Sequence, residues 1–276
     1  MPKILLIGEN GIDRWCYGTA SRLSPECPTP VFLEGGYSEN LGLAGNVYEN
    51  LKSLRPNWDI TFIHNKKPTI KTRYVDKISN YTLLRVDSND NIKNVLLYEN
   101  FYQELGAEDP EDFDALVWSD YGKGYLDEKV MQTVSMDFEE LGIPVFCDTK
   151  KSFSDWSRHF FLVKINLCEY KRASEKANCP IELLLRNLCV TEGGSGIQLY
   201  TNWGRGEKLF PTKDVSINCL AGAGDSVLAS VVIEYLETES LEKAMEYGNL
   251  AGAVAVGHRG VYAVKDEDIQ QLKNSS

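Results

Sequence analysis

The sequence lacks any pair of cysteines at C-x-x-C spacing. Its seven cysteines are odd in number and scattered, so neither a disulfide framework nor a zinc site is indicated, and free thiols in a reducing cytoplasm are expected. Histidine is scarce, and His64, His159 and His258 share no spacing that suggests a metal site or a catalytic triad. Long apolar runs are missing as well. Ile4-Leu5-Leu6-Ile7 ends at Gly8, too short for a signal-peptide core or a membrane span, so neither export nor a membrane partner is expected. Basic residues are outnumbered, with 29 Lys and Arg against 40 Asp and Glu. The resulting net charge of -11 argues against nucleic acid as a partner. No G-x-x-x-x-G-K-S/T occurs and no complete G-x-G-x-x-G follows a strand, which removes the fingerprints of Walker-type NTPases and Rossmann dehydrogenases. Without a linker, repeat or low-complexity tract, the 276 residues are read as one domain.

What is present is concentrated in Asn218-Cys219-Leu220-Ala221-Gly222-Ala223-Gly224-Asp225-Ser226. From Asp225 onward Leu228, Val231, Val232, Tyr235 and Leu236 recur at helical spacing, predicting an amphipathic helix with Gly222, Ala223 and Gly224 at its mouth. A helix mouth offers unpaired N–H groups and the positive end of the macrodipole, and glycine lets an anion come close. Asp225 would repel a phosphate there unless its task is to take a proton from a hydroxyl attacking that phosphate. Taken alone, the run is equally consistent with an acidic first-turn residue behind a glycine turn.

Elsewhere short apolar runs alternate with helix-period segments, the pattern of an α/β protein with a parallel sheet. Strands are expected at 3–8, 114–119, 143–148, 160–165, 188–192 and 197–200, with helices after Leu126 and over Leu241 to Val256. Residues 12–37 and 68–87, rich in aromatic, Thr, Pro and Gly residues and alternating in places, are read as strands of a small separate sheet. Asn166 and Glu169 sit three apart just behind a strand, suited either to magnesium-bound waters or to capping a helix. Thr191-Glu192-Gly193-Gly194-Ser195-Gly196 is a glycine-rich turn between strands that suits a nucleotide or a plain hairpin. Asp13, beyond the first strand, is either an acceptor for sugar hydroxyls or a turn cap. Gly42, Gly45 and Asn46 open a second glycine-rich helix, and Lys123 stands between two glycines, where a solvated lysine is the plain alternative.

In this order the pieces resemble the ribokinase or PfkB family of carbohydrate kinases from Ile4 to about Asp268. The resemblance implies a three-layer α/β/α fold with a β-sheet lid at about 12–37 and 68–87, use of ATP and Mg2+, a small sugar or sugar-phosphate substrate, and a homodimer through the lid. It implies Asp225 as catalytic base and the N–H groups of Gly222, Ala223 and Gly224 as anion hole. Asn166 and Glu169 match the family's N-x-x-E associated with magnesium, and Thr191, Gly193 and Gly196 its T-x-G-x-x-G nucleotide segment. Asn249 and Gly257 match positions near the adenine, and Lys150 lies in the stretch standing for its D-P-K-G. Asp13, Gly42 and Asn46 fall on the sugar side. The segments Asp13-Arg14-Trp15, Ser21 to Val31, Pro68 to Arg73 and Ser119-Asp120-Tyr121-Gly122-Lys123-Gly124 are similar to the D-glycero-β-D-manno-heptose 7-phosphate kinase branch. In that light Arg73, Arg85 and Lys123 become phosphate contacts. A kinase for another sugar or a nucleoside, and a non-catalytic binder retaining the fold, are the alternatives.

The sequence also departs from the family. Cys219 and Ala221 stand where Asp and Thr are usual, Leu43 replaces a glycine, Ile165 replaces a proline, and Asp148-Thr149-Lys150-Lys151 replaces D-P-K-G. Between Leu54 and Pro68 there is room for one strand only, without the strand and helix that usually wall the sugar site.

Overall fold

Ile4 to Ile7 are wholly buried, as an apolar run covered on both faces of a sheet requires. In the computed structural model, which describes residues 1–177 and 179–275, this run is β1 (Lys3–Gly8). The other strands are β2 (Asn10–Leu23), β3 (Pro30–Leu43), β4 (Asp59–His64), β5 (Thr69–Asp76), β6 (Thr82–Ser88), β7 (Ala115–Asp120), β8 (Val145–Thr149), β9 (Leu162–Asn166), β10 (Asn187–Thr191), β11 (Ile197–Thr201) and β12 (Gly206–Phe210). The helices are α1 (Ala44–Leu54), α2 (Tyr98–Leu105), α3 (Glu128–Glu140), α4 (Leu167–Lys176), α5 (Ala223–Thr238), α6 (Leu241–Val256) and α7 (Asp266–Asn274).

The main sheet runs β12-β11-β10-β9-β8-β7-β1-β4. It is parallel from β4 through β10, with β11 and β12 antiparallel at one edge. Period-two alternation sends Ile4, Leu6 and Val117 to one face and Leu5, Ile7 and Trp118 to the other. The first face packs on α1, α5, α6 and α7, through residues such as Leu51, Val231, Met245 and Ile269. The second packs on α2, α3 and α4, through Phe101, Met131, Phe138 and Ala173. The fold is therefore the expected three-layer α/β/α arrangement. As expected from the short Leu54–Pro68 interval, it holds β4 alone.

A second sheet, β3-β2-β5-β6, stands off the body. Its strands extend beyond the expected lid limits, β2 beginning at Asn10 and β3 running to Leu43. The expectation of an amphipathic helix behind Asp225 needs correcting: α5 begins at Ala223, and every residue from Asp225 to Ile233 is buried. The helix lies between the sheet and its neighbours α1 and α6, so no face of its first half meets water. Gly248 permits that closeness, because a Cβ there would lie 2.6 Å from Val231 Cγ2. The Ala- and Gly-rich segment from Leu241 to Val256 is one helix rather than several.

Candidate active site

Parallel strands bring their carboxyl ends to one edge, so Gly8, Asp120, Thr149, Asn166 and Thr191 all finish there. The mouth of α5 opens onto the same edge. Gly222 caps it in the left-handed region at φ 83°. The Asp225 carboxylate, 6% exposed, has both oxygens engaged. Tyr121 O–H donates to Oδ1 and Asn46 Nδ2 donates to Oδ2 at 2.8 Å. Burial pushes the Asp225 carboxyl up from the usual carboxylate range, against those two bonds and the nearby Lys164 charge. Asn46 is itself held by Asn50, whose Nδ2 reaches its Oδ1 at 3.1 Å and its carbonyl at 2.8 Å. Asn46 thus bridges α1 to the Asp225 carboxylate.

The loop behind β7 is stapled by a carboxylate that the sequence did not single out. Glu9, wholly buried, accepts from the N–H groups of Tyr121, Lys123 (2.9 Å) and Tyr125 (3.4 Å). Burial and the Asp120 charge push it to about 7 despite those three bonds. Asp120 accepts from Gly122 N–H at 2.9 Å and Thr149 Oγ1 at 2.5 Å, with Lys151 Nζ 3.2 Å away. Tyr121 and Lys123 are therefore presented on a backbone fixed from below.

Across the gap stands the lid. The strand register puts Asp13, Lys71 and Asp87 in one row and Trp15, Arg73 and Arg85 in the next, all on one face. Arg73 is ion-paired with Asp13, and its guanidinium lies 4.7 Å from the centre of the Trp15 ring. Lys123 Nζ is 2.6 Å from Asp90, and Arg85 pairs with Asp87 at 2.7 Å. Lys71 is the cation that sequence reasoning missed; its signal was the two-residue spacing from Arg73 in an alternating strand. Burial lowers its pKa, with Asp13 opposing and the Arg85 and Lys123 charges adding to the fall. Gly42 is required beside Asp13, because a Cβ would overlap that carboxylate. The neighbouring Leu43 has φ 56°, costing roughly 1–2 kcal/mol for a side chain other than glycine. That strain accounts for glycine being usual there, and the buried Leu43 side chain, 3% exposed, offsets it.

At the carboxyl end of β9, Asn166 and Glu169 form a capping box on α4. Asn166 Oδ1 accepts from Glu169 N–H and Glu169 Oε2 from Asn166 N–H, each at 2.9 Å. Glu169 Oε1 is paired with Lys150, which leaves Lys150 and the N-x-x-E pair bound to one another. Below the mouth of α5 lies Lys164, 4% exposed, with Nζ 2.5 Å from Asp148 Oδ2. Burial pulls the Lys164 pKa down, but the charge and hydrogen bond of Asp148 with the Asp225 and Glu169 charges together outweigh it, so the lysine stays protonated. A lone lysine inside an apolar parallel strand was its sequence signal.

A cavity of about 370 Å3 runs from this mouth to α6. Thr191, Gly193 and Gly196 line one side, Ala223 and Gly224 the mouth, Asn249 the far wall, and Ile217, Leu220 and Val256 give it an apolar lining. Gly196 has φ 103°, and a Cβ there would overlap the Phe210 carbonyl, so β12 packing alone demands glycine. Asn249 donates to that carbonyl at 2.9 Å. Gly257 does not line the cavity; it ends α6, its carbonyl accepting from Asn218 Nδ2 at 2.7 Å.

Residues 64–268 match the profile described as pfkB family carbohydrate kinase. The chain is 33% identical over 309 aligned positions to the bifunctional protein HldE of Campylobacter jejuni (strain RM1221), covering 100% of this chain but 65% of that protein. It spans less than two thirds of that relative's length. Among solved structures, a ribokinase of Thermotoga maritima superposes with a TM-score of 0.76 at 16% identity, over 100% of both chains. An Arabidopsis thaliana ribokinase complexed with ribose and ATP gives 0.74 at 11% identity, over 100% of this chain and 99% of that one. With the family profile covering most of the sequence and the fold shared end to end, this chain belongs to the pfkB family of carbohydrate kinases, phosphotransferases that act on sugars.

Proposed function

We propose that this chain is an ATP-dependent kinase that phosphorylates a hydroxyl, the anomeric one, of a heptose or hexose phosphate. The observation that carries this reading is the charged face of the lid. Lys71, Arg73, Arg85 and Lys123 lie around Asp13, and Lys71 Nζ is 5.6 Å from the ring centre of Tyr121, whose hydroxyl is bonded to Asp225. A neutral sugar gives no reason to hold Lys71 half-buried beside other cations; a phosphate does. The similarity of the lid segments to heptose 7-phosphate kinases points the same way.

In this reading ATP occupies the cavity between Thr191 and Asn249, its phosphates toward the α5 mouth and Lys150. Asp225 takes the proton of the acceptor hydroxyl as its oxygen bonds to the γ-phosphorus and the bond to ADP breaks. The N–H groups of 222–225 hold the developing charge. A carboxyl raised by burial is suited to that transfer near neutral pH. The oxygen donors of Asn166 and Glu169 fit a magnesium ion held through its waters. Among the described residues no three His, Cys, Asp or Glu come together to ligate an ion directly, so Asn166 and Glu169 would act from outside its water shell. When bound, the ion supplies charge neutralisation on the phosphates.

The outer face of the lid supports a homodimer. There Tyr37, Leu84 and Val86 are 63%, 57% and 41% exposed, on the side opposite the cations. All seven cysteines are free, and no helix among the described residues is long and apolar enough to cross a membrane, in keeping with a cytoplasmic setting.

The test is ATP consumption with a panel of sugars and sugar phosphates that includes heptose 7-phosphates. Turnover is expected with a phosphorylated acceptor and should fall by orders of magnitude in Asp225→Asn while ATP still binds. Undiminished turnover in Asp225→Asn would sink the mechanism. ATP binding without consumption on any acceptor would leave a binding protein that retains the fold.

A further inference from the structure

Tyr121 belongs to a motif that the reading above leaves without a task. Its hydroxyl donates to Asp225 Oδ1, while Asn46 holds Oδ2. Its ring lies between two cations from opposite sides of the site: Lys71 Nζ is 5.6 Å from the ring centre and Lys150 Nζ 5.4 Å. The first belongs to the lid and the second pairs with Glu169 on the nucleotide side. Its backbone cannot drift, because Glu9 accepts from its N–H and from those of Lys123 and Tyr125, and Asp120 fixes Gly122. A phenol this restrained is placed by the fold.

We propose that Tyr121 is a positioning residue for Asp225: its hydroxyl and the Asn46 amide clamp the two carboxylate oxygens. The clamp sets which lone pairs stay open to an acceptor and keeps the group ionised in a dry site. The inference rests on the reading of Asp225 as the base. The physical case is asymmetric. Burial and the Asp148 charge disfavour the Asp225 anion, whereas Tyr121, Asn46 and the Lys164 cation favour it. Of these, Tyr121 and Asn46 touch the carboxylate directly. An ionised acceptor draws more from a hydrogen bond than a neutral one, and most in a low dielectric, so the phenol acts on the protonation balance as well as on geometry.

The test uses the free protein, with no acceptor needed. The carboxyl carbon resonance of Asp225 is assigned by its absence from Asp225→Asn and followed against pH in the wild type and in Tyr121→Phe, which removes one oxygen and keeps the ring. The titration midpoint is expected at higher pH in Tyr121→Phe, because a bond to the charged form has been lost. An unchanged midpoint in a folded Tyr121→Phe would overturn the proposal. Should that variant not fold, the contact can be read from its other end. Burial and the Asp225 charge push the Tyr121 phenol well up, so in Asp225→Asn it should ionise at lower pH than in the wild type, by ultraviolet difference absorption. No change there overturns the proposal too. Turnover of Asp225→Asn on the sugar-phosphate panel separates the two levels: full activity removes the base and the clamp with it, whereas lost activity with an unmoved midpoint removes the clamp alone.

Discussion

Replacing Gly222 by alanine probes the mouth of α5 through two additive costs. The residue sits at φ 83°, where any L side chain costs roughly 1–2 kcal/mol. Its Cβ would also lie 2.6 Å from Asn46 Nδ2, with Val261 Cγ1 3.2 Å away. Asn46 has nowhere to retreat. Its Oδ1 is held by Asn50, and Asn50 Oδ1 in turn accepts from Val264 N–H at 3.0 Å. The methyl must then break the 2.8 Å bond from Asn46 to the Asp225 carboxylate; hydrogen bonds to charged groups contribute about 1.5–3 kcal/mol. The two costs together give about 2.5–5 kcal/mol, read as a lower urea midpoint and a Tm lower by about 10 °C. On the proposed role of Asp225, turnover should fall with it, because the same bond orients its carboxylate. Gly224→Ala is the control. Its Cβ would meet Lys164 Nζ at 2.8 Å, an ammonium held by Asp148, but it carries no positive-φ cost and leaves the Asn46 bond intact, so its stability cost should fall below that of Gly222→Ala. A Gly222→Ala protein within about 1 kcal/mol of wild type, with undiminished turnover, would refute this account of the mouth.

Two further outcomes follow from the geometry. Glu9 is raised from the usual 4.5 to about 7. A raised folded-state value means that its stabilising contribution is complete below about 4.5 and is lost as pH climbs through about 7. Relative to Glu9→Gln, the wild type should therefore lose about 2.5 kcal/mol between pH 5 and pH 8 in urea titrations; a gap that stays constant over that range contradicts the assignment. On the lid, Leu84→Asp with Val86→Asp should convert a particle of twice the chain mass into a monomer by sedimentation. A wild type that already sediments as a monomer removes the dimer proposal.

Much of the fold was legible because its signals are local. The apolar run of β1, the stripe of α3 and the glycine mouth of α5 depend on residues adjacent in sequence, and each formed within a residue or two of the expected limits. Elements with weak local signals were not legible. α2 buries only Phe101 and Leu105, and β12 is an edge strand with one fully buried residue. Asn166-x-x-Glu169 shows a further limit: the spacing suited both a cap and a metal, and the structure displays the cap, which the metal reading does not contradict.

By itself the sequence determined the α/β class, the order of the motifs and the position of Asp225 behind a glycine turn, because periodicity and turn chemistry act over a few residues. The tertiary structure decided who meets whom. It alone placed Tyr121 and Asn46 on Asp225, 104 and 179 residues away in the chain. It buried Lys164 against Asp148 beneath the mouth of α5, and it turned Lys71 inward with Arg73 while sending Leu84 and Val86 outward. Those outcomes depend on strand order and register, which join distant segments. They set the burial and charge that decide whether an aspartate behind a glycine turn is a helix residue or a base.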